Sequence, residues 1–581
     1  MRTELQPTSR DPVLLSAAAV GLACLALALV PTATFAEAFA HPSRVARIGG
    51  AIPTATTRGA EFFRMALAAG GVAIPLLVWW LGRLCARAVG PKRAAIDADA
   101  LPGMPVARRD WLLLGAIIAL GALVRIALAT QSLWYDEISA LLSFALEGPG
   151  VAFGSYTVPT NHVPMTLSVW LSVTVLGSVG ELAVRLPALI AGIATIPAAF
   201  ALGRTLRDER LGKTLAFVAA IAPIAILESV EARGYAFVIL GATVAALASA
   251  RAARTGARRD YLVFALATAF AAWAHPVAIL LPFAAGLVGL ARDRRLAAAA
   301  LMAGVVAAVL LSPLLGDVLA TRQDYVRTDA AQPSVFSREG YEAITGLTLS
   351  WSRWFVTAAP VLSALAIVGV AMVMRARDET TKRARRMLAP FALALALALV
   401  LPPILGAWTY ARFTLFALPI GLVAVALALE ASSLSRKASS LSRKRRAPIQ
   451  AIVIGAVALD ALLSIAFYRV KQPIRDAVEI VAAQRGAQDQ VATIGLPDNA
   501  VAFYARQFGF DAAPTGFLGK DLAAVVERSR PEFVVVLYPD RLAPETFATL
   551  DAAFDRTHRL EGWADWGHGD VEIWRRPRAT P

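Results

Sequence analysis

Cysteine is nearly absent from this chain, and so are the short motifs that most soluble enzymes carry. Its two cysteines, Cys24 and Cys85, lie in or beside apolar runs, which excludes a disulfide framework and a thiolate zinc site. No Walker-type phosphate loop occurs anywhere along the 581 residues. Residues 471–581 hold no phosphate loop, metal-ligand spacing or nucleophile motif. Lys and Arg are missing altogether from residues 131–184. No inverted internal repeat is visible, which removes a common hallmark of secondary transporters.

What the chain has in excess is apolar surface. Hydrophobic residues make up 57% of it, and apolar runs of about 17–20 residues recur, the length that crosses a bilayer core. The sequence therefore predicts a polytopic α-helical membrane protein. The predicted spans are 13–31, 62–82, 110–129, 184–203, 211–228, 232–251, 260–274, 276–291, 297–315, 355–374, 388–407, 413–430 and 449–468, about thirteen on this length criterion. The first run also fits a signal peptide, because "TFAEAFA" ends in a cleavage-like pattern. A membrane helix is preferred because a second span follows. The formal net charge of +15 does not point to nucleic acid, since it clusters in short loops between spans.

Those clusters orient the chain, because cytoplasmic loops collect Lys and Arg. They include Arg83 to Arg109, Arg204 to Lys213, Arg251 to Arg259, Arg292 to Arg295, Arg375 to Arg386, and the tandem repeat "SSLSRKASSLSRKRR" at 432–446. The N-terminus is then cytoplasmic, and the stretch from 131 to 184 lies outside. Parity allows one crossing between Leu133 and Arg204, yet two apolar runs lie there. The shorter one, 163–178, contains several Ser and Thr and reads as a helix lying along the outer surface. "EISALLSFALEG" reads as a second such helix. The loop 316–354 is external despite Arg322, Arg327, Arg338 and Arg353. From Lys471 onward the pattern changes: "QVATIGL" and "FVVVLYP" read as buried strands, "RDAVEIVAAQRG" and "PETFATLDAAF" as amphipathic helices. This gives a small extracytoplasmic α/β domain, read as a docking or acceptor-handling module. The expected division is 1–109 (two extra helices and a loop), 110–470 (membrane core) and 471–581.

The polar residues that this topology puts on the outer side form five clusters: Asp136 with Glu137, Asn161 with His162, Glu231 with Arg233 and Tyr235, His275, and Tyr410 with Arg412. Ionisable groups at membrane depth are costly and commonly functional. A carboxylate there can take a proton from an attacking hydroxyl or amine. Arginine can grip a phosphate, and histidine can bind phosphate or metal. Any one of them can instead cap a helix; Asp136 could cap one starting near Ile138. A cleft of both signs at headgroup depth suits a substrate with a lipid tail and a charged head, which itself brings the energy for reaction.

"SLWYDE", "NHVP", "RLPALIAGIATIPAAFALGR", "SVEARGYAFVI", "WAHPVAILLPFAAGL" and "ARFTLFALPI" follow one another in this order. Together they resemble the polyprenyl-phosphate-sugar-dependent glycosyltransferases of the GT-C superfamily, glycosyltransferase family 39 above all: protein O-mannosyltransferases and aminoarabinose lipid A transferases. The resemblance covers residues 110–480. It implies a GT-C fold, a first external loop with two membrane-parallel helices, and sugar transfer from a polyprenyl-phosphate donor to a lipid, glycan or protein acceptor. It implies Asp136 as general base, Glu137 completing the catalytic pair, Arg233 near the donor phosphate, and His275 and Arg412 facing the same cavity. Tyr135, Asn161, His162, Glu231, Tyr235 and Tyr410 join the expected substrate-binding set. The usual His-Pro-Pro is His162-Val163-Pro164 here. No cofactor is required by the sequence, and a divalent metal stays open. The competing function is a transporter or flippase of lipid-linked sugars.

Overall fold

The computed structural model describes residues 11–88, 108–325, 359–375, 377–404, 411–434, 451, 454–463, 470–496, 499–564 and 569–577. Tyr410, most of the basic external loop and most of the 432–446 repeat therefore lie outside the described residues. The described part divides into two compact units that cut the chain differently from the expected domains. The larger comprises residues 1–125, 147–168 and 187–465; the smaller joins Ile126–Leu146 and Val169–Leu186 to Ala466–Pro581.

The larger unit is helical. Each of the thirteen predicted spans meets a helix, but not each helix is long enough to cross a membrane. Among the described residues seven are, or nine if the bent pairs Pro12–Ala28 with Thr32–Phe39 and Glu209–Ile221 with Pro223–Ser229 each form one span. Pro276–Arg292, Pro360–Arg375 and Ile454–Leu463 are shorter. Helix Val163–Leu176 is also short of a span. Alanine and glycine dominate the contacts between helices. Ala245, Ala246, Ala271 and Ala272 are fully buried, and a Cβ at Gly203 would come within 2.8 Å of the Gly212 backbone. Small residues of this kind let backbones approach where no hydrophobic effect drives helices together. Large apolar side chains such as Leu112, Leu290 and Ile367 point outward instead, as a lipid-facing surface requires. The chain is an integral, multi-pass membrane protein.

The N-terminal helices, which the sequence left without a role, are tied to the loop ahead of His162. Phe35, Phe39, Phe63 and Phe153 form one aromatic cluster, with centroids 5.2 to 5.9 Å apart. Asp317 accepts from Arg44 at 2.6 Å and from the Tyr156 backbone N–H at 2.8 Å. Gly150 and Gly154 make the approach possible. A Cβ at Gly150 would lie 2.2 Å from the Ala38 carbonyl oxygen, and one at Gly154 would lie 2.1 Å from the Phe39 ring.

The smaller unit contains a five-stranded sheet of order β2-β1-β3-β5-β4. Its strands are β1 (Val491–Gly495), β2 (Ala512–Phe517), β3 (Phe533–Leu537), β4 (Asp555–Leu560) and β5 (Val571–Arg575). β1 pairs in parallel with β2 and β3, while β5 runs antiparallel to β3 and β4. The two strands read from sequence are the central ones, buried at every position, and both expected helices form, as Ile474–Gln484 and Pro544–Ala553.

The glycine contacts set a stability test. Gly154→Val should lower the stability of the detergent-purified protein by about 1–3 kcal/mol, the usual cost of overpacking. Gly115→Ala, where an added Cβ meets nothing within 4 Å, should be neutral or slightly stabilising. Thermal unfolding of both variants checks the contrast.

Candidate active site

The acidic pair sits at the start of a short helix in the smaller unit. The chain has no regular structure over 132–134, is extended at Trp134, and turns helical at Tyr135–Ala140, continuing through a π-helical turn, Leu141–Ala145. The helix thus begins three residues before the expected start near Ile138. Asp136 lies inside its first turn, and the capping role imagined for it belongs to Glu137, whose Oε2 accepts the Trp134 backbone N–H at 3.2 Å.

Glu137 is 1% exposed and faces Arg185, itself 4% exposed. Arg185 Nε donates to Oε1 at 2.9 Å and Nη2 to Oε2 at 2.6 Å. Its remaining donors reach the carbonyls of Ala129, Gln131 and Ser132 at 3.0, 2.5 and 3.0 Å. All five guanidinium N–H groups are therefore used. Glu137 is bound into a rigid frame, while Asp136 next to it is half-buried. Tyr135 is half-buried too; its backbone N–H goes to Gln472 Oε1 at 2.8 Å, and its ring lies 6.3 Å from that of Tyr538. Sequence reasoning quoted Arg185 within a motif without giving it a role. The signal was its position, as the first Lys or Arg after the 54 residues of 131–184, which hold none.

In the larger unit the structure gathers His162, Arg233, Tyr235, His275 and Arg412. The rings of His162, Tyr235 and His275 lie 5.1 to 5.4 Å apart, and Phe413 stacks 4.5 Å from His275. Arg233 and Arg412 approach the same Tyr235 ring, at 5.9 and 6.0 Å from its centroid. Two guanidiniums thus meet on one buried ring, with the buried carboxylates Glu228 and Glu231 on the same stretch of chain, and guanidiniums are the groups that grip a phosphate bidentately. Gly234 explains why the motif reads Arg-Gly-Tyr: a Cβ there would lie 2.4 Å from the Ala274 oxygen and 2.7 Å from His162 Nδ1.

His162 Nδ1 meets that Ala274 carbonyl at 3.0 Å. Since the carbonyl only accepts, Nδ1 carries the proton and Nε2 is the acceptor of the neutral ring. Burial first, then the charge of Arg233, hold its pKa well below the ordinary histidine value, so the ring is neutral at physiological pH. Nε2 is buried and has no hydrogen-bond partner among the described residues. Asn161 acts on the backbone instead, donating to the Ala152 and Ser155 carbonyls at 2.9 and 2.7 Å. Glu231 is buried two residues before Arg233. Among the described residues no three His, Cys, Asp or Glu side chains gather as a metal site would need.

One buried cation escaped the sequence reading. Arg125, fully buried near the end of helix Arg108–Leu128, donates to the Gly121, Ala219 and Ala220 carbonyls and to Ser229 Oγ at 2.9 to 3.2 Å. It ties this helix to the bent pair around Pro223. The available signal was an arginine inside an apolar run.

Residues 161–316 match the family model described as dolichyl-phosphate-mannose-protein mannosyltransferase. The family-level resemblance is met over that stretch, which supports a membrane glycosyltransferase. No curated protein matches the chain. Among solved structures the chain is similar to ArnT from Cupriavidus metallidurans, with TM-score 0.47 and 13% identity over 81% of this chain and 98% of that one. It is also similar to the oligosaccharyltransferase AglB from Archaeoglobus fulgidus, with TM-score 0.45 and 12% identity over 82% and 75%. The arabinofuranosyltransferase AftD from Mycobacteria gives TM-score 0.44 and 12% identity over 83% and 42%.

The Arg185–Glu137 frame generates a prediction on stability. Arg185→Ala strands a buried carboxylate and should cost about 3–5 kcal/mol. Arg185→Lys should not restore it, because an ammonium cannot supply the five-donor fork. Replacing both partners by Met should recover only part of the loss, because the Ala129, Gln131 and Ser132 carbonyls and the Trp134 N–H lose their partners as well. Unfolding midpoints of the detergent-solubilised variants decide the order.

Proposed function

We propose that the chain is a glycosyltransferase that moves a sugar from a polyprenyl-phosphate donor to an extracytoplasmic acceptor. The observation that carries this reading is the convergence of Arg233 and Arg412 on the buried Tyr235 ring. A pair of guanidiniums inside an apolar helical unit suits a phosphate that arrives on a lipid. The family match over 161–316 supports sugar phosphate as the group delivered. On this reading the N-terminus is cytoplasmic, and the acidic segment and C-terminal domain are extracytoplasmic.

Asp136 is the general base. Glu137 is committed to Arg185 and to the helix start, so its part is to hold the frame. Asp136 takes the proton of the acceptor hydroxyl or amine, and the acceptor heteroatom attacks the anomeric carbon. The bond from that carbon to the phosphate oxygen breaks, its electron pair stays on the oxygen, and polyprenyl phosphate departs as an anion. Arg233 and Arg412 stabilise the charge that develops there. A single displacement inverts the anomeric configuration. Neutral His162 offers Nε2 as a hydrogen-bond acceptor for a donor hydroxyl.

Two measurements test these roles on purified protein, with undecaprenyl phosphate as binding probe and a panel of polyprenyl-phosphate mannose, glucose and arabinose as donors. Asp136→Asn should lower turnover by roughly 10²–10⁴-fold, as loss of a general base does, while binding the probe normally; near-native transfer would remove Asp136 from the chemistry. Arg233→Ala should weaken probe binding by about 1.5–3 kcal/mol, roughly 10- to 150-fold in Kd. Unchanged binding would end the phosphate role. Movement of the donor lipid across proteoliposomes without sugar transfer would favour the flippase instead.

A further inference from the structure

We infer that the C-terminal α/β domain holds the acidic segment in place: Gln472 and Tyr504 are positioning residues that fix the backbone leading into Asp136. The inference rests on the assignment of Asp136 as base. It replaces the expectation of a separate docking module with a part in the reaction.

The backbone of residues 129–135 belongs to no sheet, and most of it to no helix, so its polar groups need other partners. They find side chains. Arg185 takes three carbonyls, as described above. The Trp134 N–H goes to Glu137, and several others are taken by the C-terminal domain. Tyr504, on helix Asn499–Gln507 directly after β1, accepts the Leu133 N–H at 2.8 Å. Gln472, just before helix Ile474–Gln484, accepts the Tyr135 N–H at 2.8 Å. Arg475 donates its backbone N–H to Ser132 Oγ at 3.1 Å and its guanidinium to the Thr130 carbonyl at 3.2 Å. Lys471 stands 4.2 Å over the Trp134 ring. Gln472 and Tyr504 are 0% and 1% exposed, so water cannot stand in for them.

The tyrosine is set to accept. Its own proton goes to Glu181 Oε1 at 2.9 Å, and Glu181 is held by Arg475 at 2.8 Å. With the proton committed there, an oxygen lone pair faces Leu133. Burial, reinforced by the Glu181 charge, raises the pKa of Tyr504, so the phenol keeps that proton throughout the working pH range. At the carboxyl ends of β1 and β3, where open α/β sheets commonly receive ligands, Tyr538 meets the Tyr135 ring. The domain thus grips both residues that flank Trp134, and the helix carrying Asp136 begins immediately after this grip.

The test uses the full chain with Tyr504→Phe, Gln472→Met and the pair combined. Three quantities are measured: kcat with whichever panel donor the native chain turns over, Kd for undecaprenyl phosphate, and hydrogen exchange of peptides covering 130–140. The combined variant should lose about 10- to 100-fold in kcat, the scale of a small misplacement of a reacting group. Its Kd should stay unchanged and its exchange over 130–136 should quicken. In an Asp136→Asn background the same substitutions should cost nothing more, because they act through Asp136. Native kcat with unchanged exchange overturns the inference, as does a further loss in the Asp136→Asn background. Should the combined variant not fold, Tyr504→Phe, which removes one oxygen, carries the test alone. The base assignment fails separately, if Asp136→Asn itself keeps native turnover.

Discussion

The acidic segment of the smaller unit depends on one guanidinium. Removing a cation from water costs several kcal/mol even after relaxation, and an attraction to one carboxylate repays this only when the remaining donors are also satisfied. Arg185 meets that condition, with two bonds to Glu137 and three to backbone carbonyls. The consequence is geometric. Three carbonyls from 129 to 132 and the third residue of the following helix are drawn to a single planar group. The segment therefore cannot slide or rotate without exposing a buried charge. A stable frame of this kind is what a base must stand on if it is to meet an acceptor at a fixed distance.

The larger unit uses the same device at several of its described helix breaks. Irregular backbone at membrane depth is tolerated only where protein groups take the place of water. Arg125 serves the carbonyls of Ala219 and Ala220, just before Pro223 interrupts the helix, and Asp317 serves the N–H of Tyr156. Asn161 serves Ala152 and Ser155. Asn161, which looks like a substrate ligand on account of its polarity, is therefore occupied with backbone, whereas the Arg233, Arg412 and Tyr235 group is built from side chains meeting side chains.

This distinction marks the boundary of what the sequence can tell. Apolar runs announce helices, so all thirteen predicted spans fall on one. Their number as membrane crossings is less legible, because a run such as 211–228 is broken at Pro223 by 57° and length alone does not reveal the bend. The absence of Lys and Arg from 131–184 singles out the acidic pair, yet it cannot say which carboxylate is buried. That depends on Arg185, 48 residues away. In the C-terminal domain the central strands β1 and β3 are legible as continuous apolar runs. Edge strand β4, "DRTHRL", is mostly exposed, and charge on an edge is a defence against pairing that also hides the strand. In β5 the buried Glu572 accepts from Trp574 of its own strand and from Arg556 of β4, and the cross-strand bond is one that no local pattern displays. The units, too, ignore chain order: Ile126–Leu146 belongs with the C-terminal segment through hydrogen bonds to residues more than 330 positions away.

Why two carboxylates should be adjacent follows from helix geometry. Successive residues on a helix are rotated by about 100°, so Asp136 and Glu137 cannot serve the same point. Adjacency lets one turn inward and the other present itself elsewhere from the same rigid turn. The order of the two is constrained as well. The inward carboxylate must reach both the Arg185 fork and the Trp134 N–H from the third helical position, as Glu137 does. An aspartate there would be one methylene short of spanning the same two partners. On the proposed reading of Asp136 as the base, the neighbour has the opposite requirement, since a shorter side chain has fewer rotamers to lose and would sit more firmly over a reacting partner. On that reading the Asp-Glu order follows from a frame that needs reach and a base that needs constraint.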